Sequence, residues 1–160
     1  MMLPAMLFAR ALLAFLVLPG TVAFLVPLLW LAPADRSSFD PLGAIPVTLG
    51  IALLLWCVEE FYTRGKGTLA PWAPPTELVV TGLYRFSRNP MYVAVSLILW
   101  GWALGYRSRV LAVYALVVMA MFYGRVVFFE EPWLTERHGE KYIRYKHQVP
   151  RWLGAPREPR

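Results

Sequence analysis

Residues 89–129 read Asn89-Pro-Met-Tyr-Val-Ala-Val-Ser-Leu-Ile-Leu-Trp-Gly-Trp-Ala-Leu-Gly-Tyr106, then Arg107-Ser-Arg109, then Val110-Leu-Ala-Val-Tyr-Ala-Leu-Val-Val-Met-Ala-Met-Phe-Tyr-Gly-Arg-Val-Val-Phe-Phe129. Two apolar stretches are joined by three residues, a connection too short for anything but a helical hairpin, so the two must be antiparallel neighbours. A hydrocarbon core takes about twenty helical residues to cross. The hairpin is therefore expected as two membrane spans, residues 89–106 and 109–129.

Working outward, two further stretches fit the same measure. Residues 11–34 carry no charge, and Pro19, Gly20 and Pro27 within them suggest a kinked helix packed on neighbours. Residues 41–60 are uncharged until the pair Glu59-Glu60. A signal peptide is the competing reading of the N-terminus, but the apolar run is too long and lacks a charged start followed by a small-residue cleavage site. With 58% hydrophobic and 16% charged residues among 160, and a mean hydropathy of +0.49, the chain is too apolar for an ordinary soluble domain. The expectation is an all-α integral membrane protein forming one domain over 1–160, with about four transmembrane helices and a C-terminal interfacial helix.

Orientation follows from the basic residues. Arg64, Lys66, Arg85 and Arg88 lie in the loop over 62–88, and Arg137, Lys141, Arg144, Lys146, Arg151, Arg157 and Arg160 in the tail. Placing both on the cytoplasmic side leaves only Arg36, Arg107 and Arg109 opposite, with both termini inside. The net charge of +6 is then topological and lipid-facing, and a nucleic-acid partner is not expected. The Gly-Lys-Gly-Thr of residues 65–68 lacks the spacing and preceding strand of a P-loop, so it reads as a lid or linker. Cys57 has no partner for a disulfide or a thiolate metal site, and His138 and His147 lack metal-ligand spacing, so no metal is expected.

Chemistry collects at one end of the hairpin. Pro90 suits the first turn of a helix and biases Asn89 away from helical geometry, which makes Asn89 a candidate N-cap. The positive end of that helix, with Arg85 and Arg88 beside it, favours a carboxylate such as that of a bound amino acid. The plainer alternative is that both arginines anchor topology. Glu130 and Glu131 end the last span just before Pro132, on the same membrane face as Arg88. Adjacent acids in a helix point about 100° apart, so one is expected to meet the arginines and the other a ligand, unless both merely solvate the helix end. Arg125, more than a turn inside, either snorkels to headgroups or lines a polar cavity. Residues 132–152 interleave charges with Trp133, Leu134, Tyr142, Ile143 and Tyr145, as an interfacial cap broken near Gly139 would. Gly101 and Gly105 form a small-xxx-small pair that could pack within the bundle or between chains.

Arg-Asn-Pro-Met-Tyr at the start of one span, Glu-Glu-Pro-Trp-Leu at the end of the next, then Gly-Glu-Lys-Tyr-Ile-Arg-Tyr and Val-Pro-Arg-Trp, resemble the isoprenylcysteine carboxyl methyltransferase and phospholipid methyltransferase superfamily over about 66–152. The resemblance implies a bacterial-type enzyme of the inner membrane. It implies an S-adenosylmethionine pocket at the cytoplasmic ends of spans three and four, capped by the C-terminal segment. The acceptor would be a lipid or lipidated molecule from the bilayer, through a carboxylate of a prenylated cysteine-like group or a phospholipid headgroup. Cofactor contacts would come from Arg88, Asn89, Pro90, Tyr92, Glu130, Glu131, Gly139, Tyr142 and Tyr145, with Arg88, Glu130 and Glu131 carrying the catalytic work. Asn89 stands where the eukaryotic enzymes have histidine, and His138 where they have phenylalanine. Asparagine can cap or hydrogen-bond but cannot act as a base near neutral pH. The reading from a different class is a non-catalytic membrane scaffold, or a sensor of lipid or cofactor, that keeps the hairpin. A transporter is disfavoured because the charges gather at one face rather than near the midplane.

Overall fold

The computed structural model describes residues 16–31, 39–64 and 77–156. Parts of the first expected span and of the loop over 62–88, together with Arg36, Arg157 and Arg160, lie outside the described residues. Every regular element among the described residues is helical. Two π-helical stretches, Leu16–Leu25 and Pro27–Leu31, come first. A 3₁₀ turn at Pro41–Gly43 leads into α1, Ala44–Thr63, and another at Gly82–Arg85 precedes α2, Pro90–Gly105. Then come α3, Arg109–Arg125, a π-helical turn Val126–Glu130, α4, Glu131–His138, and α5, Glu140–Gln148.

Two continuous helices are long and apolar enough to cross a membrane, the 20 residues Pro41–Glu60 and the 30 residues Arg109–His138. Pro19–Leu29 and Pro90–Gly105 are apolar but shorter. The face that α3 turns outward is apolar, with Val113, Leu116 and Met121 exposed, while Leu111, Ala115 and Val118 pack inward. A helix facing water would carry polar side chains there, so this surface suits lipid.

The hairpin turn shows why three residues suffice. The Ser108 amide donates to the Ala103 carbonyl at 3.0 Å and the Arg107 amide to Leu104 at 3.1 Å, which is the Schellman pattern, with Arg107 in the left-handed region at φ 48°. The Ser108 hydroxyl then accepts from the Leu111 amide at 3.3 Å and caps α3, so one residue both ends one helix and starts the next. Arg107 also meets Asp40 at 2.7 Å, and this hydrogen bond holds the Asp40 carboxyl below the usual carboxylate range.

The most extensive helix contact is α1 on α2, and glycine makes it possible. A Cβ built on Gly43 would lie 2.4 Å from the Gly105 Cα and 2.6 Å from the Gly101 carbonyl oxygen. One on Gly50 would lie 2.7 Å from the Ala94 carbonyl oxygen. Gly101 and Gly105 thus pack within the bundle, against α1 and the turn before it. Along the same seam, Ala94 and Ile98, with Leu99 beside them, are fully or almost fully buried in a core shared with Leu54 of α1 and Ala115 of α3.

The fourth apolar stretch does not stop at Pro132 as the sequence suggests. In the π-helical turn the Glu131 amide bonds the Val126 carbonyl five residues back. That wider turn takes up the i−4 bond and clash that a proline imposes on an α-helix, and the helical path continues through Pro132 to His138.

Candidate functional site

The site is assembled at the end of the α2–α3 hairpin away from Arg107. Its centre is Glu131, the first residue of α4, which is 6% exposed. Its Oε1 accepts from Arg88 Nη1 at 2.8 Å and from Arg151 Nε at 2.7 Å, and its Oε2 from Arg151 Nη2 at 3.1 Å. Lys146 Nζ stands 3.4 Å from Oε2. Three cations therefore converge on one buried carboxylate. Arg88 is buried as well, and its Nε has no hydrogen-bond partner among the described residues. The Tyr142 hydroxyl lies 3.4 Å from Arg88 Nη1. Burial raises the Tyr142 phenol above its ordinary pKa, so it stays protonated at neutral pH. Hydrogen bonding to Glu131 raises Arg151 in turn.

Local backbone holds these groups in place. The segment after α5 crosses under the start of α2: the Arg88 amide donates to the Pro150 carbonyl at 2.9 Å and Asn89 Nδ2 to the Arg151 carbonyl at 3.0 Å. Asn89 does sit at the cap position of α2, but its side chain is turned to the C-terminal segment and makes no capping bond. The Ser87 hydroxyl accepts from the Asn89 amide at 3.0 Å instead. Arg85, at the end of its 3₁₀ turn, is exposed, so the two arginines of the motif part company.

Beside this centre lies a second network. Glu130 Oε1 accepts from the Tyr92 hydroxyl in a very short contact and from Arg125 Nε at 2.8 Å. Arg125 Nε is also 3.2 Å from the Tyr92 oxygen. Tyr92 stacks on Phe122 with centroids 4.4 Å apart. The two glutamates do face different partners: Glu131 meets the arginines, and Glu130 meets Tyr92 and Arg125.

Of the residues singled out from sequence, Arg88, Asn89, Glu131 and Tyr142 share the first centre, and Tyr92 and Glu130 the second. Pro90, buried, opens α2 between them. Tyr145 is set apart, its hydroxyl donating to the Tyr84 carbonyl at 2.7 Å. Gly139 is the break between α4 and α5, at φ 53° and ψ −132°. An alanine there would be strained whatever the space around it, at a cost of about 1–3 kcal/mol. Gly139→Ala is expected to lower the melting temperature and to speed amide exchange in α5. Unchanged exchange across residues 140–148 would remove Gly139 as the hinge of the cap.

Sequence reasoning left out Arg151 and Lys146, which it counted as tail charges. The signal available was Arg151 following Pro150 in one of the quoted motifs. Where the sequence suggests a pocket between the helix ends, Arg88 and Glu131 are in direct contact. A cavity of about 380 Å³ opens between Leu78, Val80 and the Lys141, Arg144, Tyr145 and Gln148 side of α5. A smaller apolar one of about 80 Å³ is lined by Leu53, Leu83, Phe86, Ser87, Pro90, Val93 and Leu153.

A family model described as phospholipid methyltransferase matches residues 41–141, from the 3₁₀ turn before α1 to the second residue of α5. No curated protein and no solved structure matches the chain.

Proposed function

The chain belongs to the phospholipid methyltransferase family, and on that premise we propose that it transfers the methyl group of S-adenosylmethionine to a lipid-like acceptor at the membrane boundary. Its family is one of methyltransferases, and its two long apolar helices suit a membrane protein. In the same reading four apolar helices cross the bilayer, with both termini and the site on the cytoplasmic side.

One observation carries the proposal: three cations meet one buried carboxylate, and the Nε of Arg88, the buried cation among them, lacks an acceptor among the described residues. Buried guanidinium groups are stable when each donor finds an oxygen, so the cluster suits an added carboxylate such as that of an amino acid. Arg88 and Arg151 would hold that carboxylate, and Glu131 would keep the two guanidiniums parallel and in place. Tyr142, protonated, would donate a further hydrogen bond. Glu130 would face the cationic part of the cofactor, whose sulfonium supplies an electrophilic methyl group. The displacement needs little acid–base help, so most of the rate would come from alignment and exclusion of water. Asn89 would act as a hydrogen-bonding strut for the C-terminal segment and not as a base.

Direct contact between Arg88 and Glu131 favours a second reading, a scaffold that keeps the hairpin without turnover. Calorimetry on the purified protein in detergent separates the two. The enzyme is expected to bind S-adenosylmethionine and its demethylated product, with the Arg88→Ala variant binding neither. A wild-type protein that takes up neither compound is a scaffold.

A further inference from the structure

Arg125 is the one charged side chain of α3 between its first residue and the π-helical turn. It lies 16 residues after Arg109, or about 24 Å along the helix axis. That distance puts it close to the opposite boundary of a hydrocarbon core about 30 Å thick, at the depth where headgroups begin. Its neighbours on the helix surface are apolar and face outward: Met121 is 68% exposed, and Phe128 and Phe129 are 71% exposed each. The Arg125 side chain is itself 56% exposed, and its guanidinium is used on one edge only. Nε is held by Glu130 and Tyr92, and neither Nη atom has a hydrogen bond among the described residues.

The π-helical turn brings this about. Five residues along an α-helix, Glu130 would point about 140° away from Arg125. The wider turn over Val126–Glu130 brings the two onto one side, and such single turns recur at functional sites. A guanidinium fixed by its inner edge, with its forked outer edge turned to lipid at headgroup depth, is built to take two oxygens of one anionic group.

We infer that Arg125 binds the anionic group of the methyl acceptor, a phosphate or a carboxylate, as the acceptor enters sideways from the bilayer past Phe128 and Phe129. This rests on the function proposed above and adds a specificity residue to it. Tyr92 and Glu130, directly behind Arg125, would then border the position of the accepting atom.

The test uses the full chain purified in a nonionic detergent. Micelles are doped with phosphatidylethanolamine, with an S-prenylated cysteine bearing a free carboxylate, or with diacylglycerol, which has neither anion. Binding is followed by tryptophan fluorescence and by adducts retained in native mass spectrometry. The wild-type chain is expected to prefer one anionic ligand over diacylglycerol, and the preferred one identifies the source of the anion. Arg125→Gln should weaken that binding about tenfold or more, the scale of one lost bidentate ionic contact. Arg125→Lys keeps the charge and the partner Glu130 but loses the fork, so it should fall between and guards against a folding artefact. Equal binding by wild type and both variants, or no preference over diacylglycerol, overturns the inference and leaves Arg125 a headgroup anchor. Methyl transfer measured in the same micelles reports separately on the function: arginine-dependent binding without transfer sinks the enzymatic reading alone.

Discussion

Alanine in place of Glu131 is expected to abolish methyl transfer, by at least about a hundredfold, because that carboxylate aligns Arg88, Arg151 and Lys146. Among the described residues it is the acid that joins Arg88 at the start of α2, Arg151 after α5, and Lys146 on α5. Removing it leaves the buried Arg88 without a counter-charge, which costs about 3–5 kcal/mol for a buried pair broken on one side. Arg88→Ala should lose activity to the same degree. Its smaller stability loss would come from half-buried Arg151 and exposed Lys146 still serving Glu131. Both variants are expected to insert, because insertion follows the apolar helices and not the site. Glu131→Gln keeps shape and removes charge, so its activity separates an electrostatic role from packing. Full transfer by any purified, membrane-extracted variant at either position would refute the assignment.

The second large effect concerns the helix seam. Gly43→Ala would force a methyl group to within 2.4 Å of the Gly105 Cα, and the three nearest atoms there all belong to backbone that no rotamer change can move. The helices must separate, at a cost toward the upper end of the roughly 1–3 kcal/mol typical of overpacked cores. Gly124→Ala is the matched comparison. Its Cβ would meet only the Phe128 ring at 3.9 Å, and the better helix former should leave stability unchanged or raise it by up to about 1 kcal/mol. Thermal unfolding of the two variants in the same detergent decides the matter. Similar melting temperatures would mean that the α1–α2 seam is looser than these distances require.

The same seam marks where reading a sequence stops. Gly101 and Gly105 announced a close helix approach, but a small-xxx-small pair says nothing about its partner. Only the register that sets Gly43 against both of them chooses the interior over a second chain. Arg125 was ambiguous for a related reason. Whether an arginine near a helix end snorkels or pairs depends on the turn after it, and no residue between Val126 and Glu130 marks a π-helical turn.

Pro90, the short Arg107-Ser108-Arg109 link and the similar lengths of the two apolar stretches were enough by themselves to bring Arg88 and Glu131 to one end of a hairpin. Those are local facts, because proline, a capping serine and apolar run length act within a few residues of where they stand. The tertiary structure alone decided that Arg151 and Lys146 complete the ion cluster, that Glu130 turns to Arg125, and that the helix runs on through Pro132. The first depends on the path of the chain after α5, the other two on the π-helical turn over Val126–Glu130. Hydrogen bonds from Arg88 and Asn89 to Pro150 and Arg151 fix the C-terminal path, and contacts so distant in sequence leave no pattern among neighbouring residues.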